Sequence, residues 1–213
     1  MSYSREERLA LCALLEKTGP DAPTLCEGWN TGDLAAHLVL RERRPDAAAG
    51  VLGGPVAAYT ARVQRGIRAR IPFADLVRMI RSGPPPFSFM AIPGMDERTN
   101  LVEFFVHHED VRRGAPGWEP RPISDGESDL LWQRLRMARF MLRRAPVGVE
   151  LAREDAGADG RAYRITAKNA TPVVTVIGSP AELTLWVMGR RPAARVRMDG
   201  TSPAVTKLAE ANW

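Results

Sequence analysis

The chain is short of several residue types and patterns, and each shortage excludes something. Of its 213 residues only two are cysteine, Cys12 and Cys26. Two thiols do not make the disulfide framework of a small secreted scaffold, and a reducing compartment would keep them unpaired. The longest apolar windows, such as residues 183–188, fall far short of the roughly 20 residues that a membrane-spanning helix requires. The opening Met-Ser-Tyr-Ser-Arg-Glu-Glu-Arg lacks the basic-then-apolar layout of a secretory signal. The expectation is a cytoplasmic protein without a membrane partner.

Lysine is nearly absent. Of 30 basic residues 27 are arginine, with lysine only at positions 17, 168 and 207, and the excess over 25 acidic residues gives a net charge of +5. Arginine is favoured together with alanine, glycine and proline, as under GC-rich codon usage, so the charge reads as compositional bias. Basic residues come singly or in pairs (Arg43-Arg44, Arg112-Arg113, Arg143-Arg144, Arg190-Arg191) with acids nearby. They form no basic stripe of the kind that marks nucleic-acid binding. No internal repeat or low-complexity tract is visible. What is present, 45% apolar and 26% charged residues, suits one large globular domain or a main domain with a small appendage.

Apolar residues at positions 9, 11, 12, 14 and 15 recur at helical spacing over residues 4–17, before Gly19-Pro20. Thr31 is a plausible N-cap, with Asp33 in the first turn, for a second helix that Pro45 ends. Weaker helical patterns cover 55–70 and 73–81, then Gly83-Pro-Pro-Pro breaks the chain. Stronger ones cover 96–113 and 124–144. Four principal helices with one long connection describe a bundle with a crossover. After Pro146 the texture changes: 147–151, 162–167, 172–177 and 194–198 are strand-like, and 181–188 and 202–211 are helical. The expected class is α+β, a helical part over 1–145 followed by a small α+β part over 146–213.

Histidine is scarce too, and all three copies fall on the most strongly patterned helices: His37 on the second, His107 and His108 on the helix over 96–113. Glu103 and His107 stand at i, i+4 and share a face, which Asp110 extends. If the two helices are neighbours, His37 meets Glu103 and His107 as two nitrogens and one carboxylate, a donor set that leaves a metal one open position. A solvent-facing Glu–His pair has the same spacing. Periodicity also leaves His108 open, as a core histidine or as the true ligand, although only His107 shares the Glu103 face. Cys12 reads as a small core side chain. Cys26 lies in a loop before Gly28-Trp29 with no base beside it in sequence.

The stretch Gly28-Trp-Asn-Thr-Gly-Asp-Leu-Ala-Ala-His37-Leu38 resembles the first metal-ligand motif of the DinB-like bundle proteins. Glu103-Phe-Phe-Val-His-His-Glu-Asp110 resembles the second motif of the mycothiol-dependent maleylpyruvate isomerase branch of that superfamily. Residues 178–191 resemble the branch's small C-terminal domain, which is similar to sterol-carrier-protein folds. Within the branch the chain looks nearest to an actinobacterial group of predicted metal-binding proteins. The resemblance implies a DinB-like four-helix bundle, metal ligands His37, Glu103 and His107, and carboxylates Asp33 and Asp110 set to orient the ligand imidazoles. Asp33 is equally well read as a first-turn helix carboxylate. Zinc is the expected metal, ahead of nickel or iron. Mycothiol is the implied cosubstrate and a small electrophile the implied substrate, in a monomer or dimer. The competing functions are a non-catalytic metal-containing binding or sensing module and a partner-binding bundle without metal. The sequence carries no motif that identifies the electrophile.

Overall fold

The computed structural model describes residues 2–48, 50, 54–86, 95–154 and 163–211. They divide into two compact units, Met1–Glu119 and Pro120–Trp213.

The first unit is helical: α1 (Tyr3–Thr18), α2 (Thr31–Arg43), the single turn α3 (Pro45–Ala48), α4 (Ala57–Arg70), α5 (Phe73–Arg81) and α6 (Met95–Arg112). Helices α1, α2, α5 and α6 supply one buried cluster, with Leu11, Cys12 and Leu15 meeting Leu34, Leu38, Leu76, Ile80 and Phe104. Each fully buried side chain of this size contributes roughly 1.5–3 kcal/mol. Helix α6 runs through the interior, and its residues 104–111 are buried on every side. A helix so enclosed leaves no solvent for its polar side chains, so each must meet a partner. His108 Nδ1 lies 2.8 Å from Glu7 Oε2 on α1, and Glu109 pairs with Arg112 and Arg113. Beside them Arg8 joins Glu42 at 2.7 Å and lies over the Phe104 ring, tying α1 to α2 and α6.

The loop from α1 to α2 is pinned to the end of α6. Leu25 N–H donates to Asp110 O at 3.0 Å. Gly114 permits this approach, because a Cβ there would stand 2.2 Å from the carbonyl oxygen of Pro23. The N-cap of helix α2 is Asn30, one residue before the expected Thr31. Asn30 Oδ1 accepts from Asp33 N–H at 3.0 Å and Asp33 Oδ2 accepts from Asn30 N–H at 3.2 Å, a reciprocal capping box. The Thr31 hydroxyl turns instead to Gly19 O.

The second unit holds a four-stranded sheet of β1 (Gly148–Arg153), β2 (Arg164–Lys168), β3 (Val173–Gly178) and β4 (Arg197–Asp199). Its order is β2-β1-β3-β4, with β1 and β3 parallel and both outer pairings antiparallel. Position 162 of the expected second strand lies outside the described residues. Helix α9 (Pro180–Val187) is capped by Ser179, carries proline in its first turn, and is buried throughout. Helix α10 (Ser202–Glu210) adds Ala204 and Leu208 to the same core.

The helix expected over 124–144 lies in this unit and is not continuous. It consists of α7 (Asp125–Arg134), a 3-10 turn at Leu135–Met137, and α8 (Ala138–Met141). Leu135, Ala138 and Leu142 face the sheet core with Val149, Leu151 and Trp186. This burial is why the chain divides after Glu119 instead of after residue 145. The same phase leaves Met137 and Met141 exposed. The class is thus α+β, with a helical N-terminal region and a small C-terminal sheet. Among the described residues no helix is long and apolar enough to cross a membrane.

Candidate metal centre

Two helices bring the histidines together. His37 sits in the middle of α2, two turns after its N-cap Asn30; Glu103 and His107 sit one turn apart on α6. His37 Nε2 lies 3.2 Å from Glu103 Oε1, and His107 Nε2 lies 3.2 Å from the same oxygen. The two imidazole rings meet edge-on with centroids 5.1 Å apart. His37, Glu103 and His107 thus form one group of donor atoms close enough for a single ion. His37 and His107 are buried, and the Glu103 side chain is 18% exposed, so the group opens on the carboxylate side.

Each member has a second contact that fixes its orientation. Asp110 Oδ2 lies 2.8 Å from His107 Nδ1, which sets the ring plane and leaves Nε2 turned to Glu103. Asp110 is fully buried. Arg41, one turn beyond His37 on α2, places Nε 3.3 Å from Glu103 Oε1 and donates Nη1 to Asn100 Oδ1 at 2.5 Å. The indole of Trp29 lies against His37 with centroids 5.1 Å apart.

Burial pushes the His37 imidazole below its ordinary pKa, and the charges of His107 and Arg41 act in the same direction against the Glu103 hydrogen bond. For Glu103, burial acts upward, but hydrogen bonds from His107 and His37 with the charges of His107 and Arg41 outweigh it and hold the carboxyl well below its usual range. For His107, burial acts downward, and Asp110, Cys26 and Glu103 together overcome it and hold the ring well above its usual value. Without metal the centre is therefore an imidazolium–carboxylate pair beside a neutral imidazole. A metal ion held at His107 Nε2 would have to displace the proton there, so its binding would be linked to pH.

The other expected residues separate clearly. Asp33 gives its carboxylate to the α2 capping box. It also lines a cavity of about 280 Å³ with Gly28, Trp29, Ala61, Gln64 and Arg65. His108 points toward α1 and Glu7, on a different side of α6 from Glu103. Cys26, which had no base beside it in sequence, has its Sγ 3.2 Å from Asp110 Oδ2. Its partner stands 84 residues away, beyond the reach of any local pattern. Arg41 and Trp29 also belong to the surroundings of the centre. Their only local signals are helical spacing from His37 and the Gly28-Trp29 pair. A larger cleft, about 500 Å³, is lined by Arg44, Tyr59, Arg62, Val63 and Arg70 among others, and contains none of the metal-donor candidates.

Residues 3–76 match the family model described as the mycothiol maleylpyruvate isomerase N-terminal domain. The matched residues include His37 and the motif around it. Glu103 and His107 lie beyond them, so the second half of the donor set rests on geometry. No curated protein and no solved structure matches the chain.

Proposed function

We propose that the protein is a zinc-dependent enzyme that uses a low-molecular-weight thiol, mycothiol, to transfer to or isomerise a small electrophilic substrate in the cytoplasm. His37, Glu103 and His107 are the metal ligands in this reading. The observation that carries it is the convergence of two Nε2 atoms from different helices on one carboxylate oxygen, 3.2 Å from each. A tetrahedral zinc ion with bonds of about 2.0–2.1 Å to nitrogen and oxygen has ligand-to-ligand edges of about 3.3 Å. The two nitrogen-to-oxygen spacings therefore match two edges of such a site, and all three donors lie within 4.8 Å of one another. Two imidazoles and one carboxylate also suit zinc better than magnesium or calcium, which take oxygen ligands. When bound, the ion supplies Lewis acidity and favours the ionised form of a coordinated sulfur.

The chain's own residues do the rest. Asp110 holds the His107 ring in the tautomer that presents Nε2. Arg41 restrains Glu103 Oε1. Trp29 walls off His37, and its other neighbours Gln64 and Arg65 line the adjacent cavity, where their donors suit the polar parts of a hydroxyl-rich thiol. The match over residues 3–76 supports the thiol class, since the matched domain is named for mycothiol. On the same reading α1, α2, α5 and α6 form a DinB-like four-helix bundle with α3 and α4 in its crossover, and the C-terminal sheet unit is of the sterol-carrier-protein type.

Two measurements test this. Metal analysis of the purified protein should find about one divalent ion per chain in the wild type and none in His37→Ala at unchanged helical circular dichroism. Calorimetry with mycothiol, in buffers of different ionisation enthalpy, should show binding only to metal-loaded protein, with release of a proton. Equal binding to metal-free and metal-loaded protein, or no binding to either, replaces the enzyme by a metal-containing binding or sensing module.

A further inference from the structure

The ring of His107 has two nitrogens, and the centre described above uses one. On the other side Nδ1 lies 2.8 Å from Asp110 Oδ2, and Cys26 Sγ lies 3.2 Å from that same oxygen. Sulfur, carboxylate oxygen and imidazole nitrogen thus form a second compact donor group, back to back with the first across one imidazole. We propose that Cys26, Asp110 and His107 Nδ1 form a separate, sulfur-containing site for a thiophilic metal ion such as cadmium, or zinc in excess.

The site is built by the fold. The loop carrying Cys26 is fastened at both sides of the thiol: Leu25 N–H donates to Asp110 O at 3.0 Å, and Trp29 N–H to Cys26 O at 3.0 Å. Thr24 Oγ1 accepts from Cys26 N–H at 3.2 Å and itself donates to Trp29 O at 2.9 Å. These bonds hold Sγ over Asp110, and Gly114 leaves the room the loop needs. Asp110 is fully buried, whereas Cys26 is half-buried, so the sulfur is the side from which an ion enters. The donor chemistry differs from that of the first group. A thiolate selects soft ions such as cadmium and zinc over magnesium or calcium, and binding one releases both the thiol proton and the proton that His107 Nδ1 shares with Asp110, so that with both sites filled His107 bridges the two ions as an imidazolate.

Cadmium titration followed in the near ultraviolet tests the assignment, because a thiolate–cadmium bond gives a charge-transfer band that imidazole and carboxylate ligands do not. Cys12, the other thiol, is enclosed in the helical core with its pKa pushed up to about 11, so it serves as an internal negative control. The wild type should bind two cadmium ions per chain, one of them with the thiolate band. Cys26→Ser should bind one and lose the band, and His37→Ala should bind one and keep it. Asp110→Asn should weaken the band-forming step tenfold or more. The proposal is overturned if reduced wild-type protein shows no band in excess cadmium, if the band survives in Cys26→Ser, or if Asp110→Asn leaves the step unchanged. Absence of the His37-dependent ion with the thiolate band intact refutes the metal centre of the preceding section and leaves this site standing.

Discussion

Asp110→Asn separates the two carboxylates that the sequence offered as supports for the ligand imidazoles. Asp110 Oδ2 lies 2.8 Å from His107 Nδ1 in a fully buried setting, so this oxygen fixes both the tautomer and the ring plane of one ligand. Replacing it by an amide removes the negative charge and offers an N–H group where an acceptor is needed. Loss of such an outer partner lowers metal affinity by about 10- to 100-fold, equivalent to about 1.4–2.7 kcal/mol. Asp33 is the internal comparison, because its carboxylate closes the α2 capping box 3.2 Å from Asn30 N–H. Asp33→Asn should leave zinc affinity within about twofold of wild type, since an asparagine side-chain oxygen at this position still accepts from Asn30 N–H. The assay is competition for zinc with a chromophoric chelator at fixed pH, with circular dichroism to verify folding. Wild-type affinity in Asp110→Asn refutes the reasoning, as does an equal loss in both variants.

Three other outcomes follow from named contacts. His108→Gln should keep full metal occupancy and lose stability by about 1–3 kcal/mol, read from denaturant unfolding, because it breaks a buried contact with Glu7 but none with Glu103; loss of metal refutes the ligand set. Gly114→Ala should lower the melting temperature and accelerate alkylation of Cys26, because its Cβ would stand 2.2 Å from Pro23 O and push the loop off α6; unchanged reactivity refutes the pinned loop. In metal-free protein the depressed pKa of Glu103 contributes stability that is present above about pH 4.5 and lost as the pH falls through its folded value. The raised pKa of His107 contributes stability that is present below about pH 6.5 and lost as the pH rises through its folded value. Thermal melts against pH should therefore weaken on both sides, and Glu103→Gln should flatten both limbs; an unchanged profile removes the pair as the cause.

The residues that share one helix were legible from spacing alone. Glu103, His107 and Asp110 stand at i, i+4 and i+7, which places them on one face whatever surrounds α6, and the turn of about 100° per residue sends His108 elsewhere. The principal helices, the change to strands after Pro146 and the first-turn place of Asp33 on its helix were legible for the same reason, since each depends on neighbours within a few positions. The contact of His37 with Glu103 spans 66 residues and that of Cys26 with Asp110 spans 84, and no local period encodes either. Both depend on which helix faces which, and that is decided by where Leu11, Leu34, Ile80 and Phe104 leave water together. The same cause moved residues 120–145 to the sheet unit. An apolar helical face declares that it will be buried, but only the assembled core decides against what.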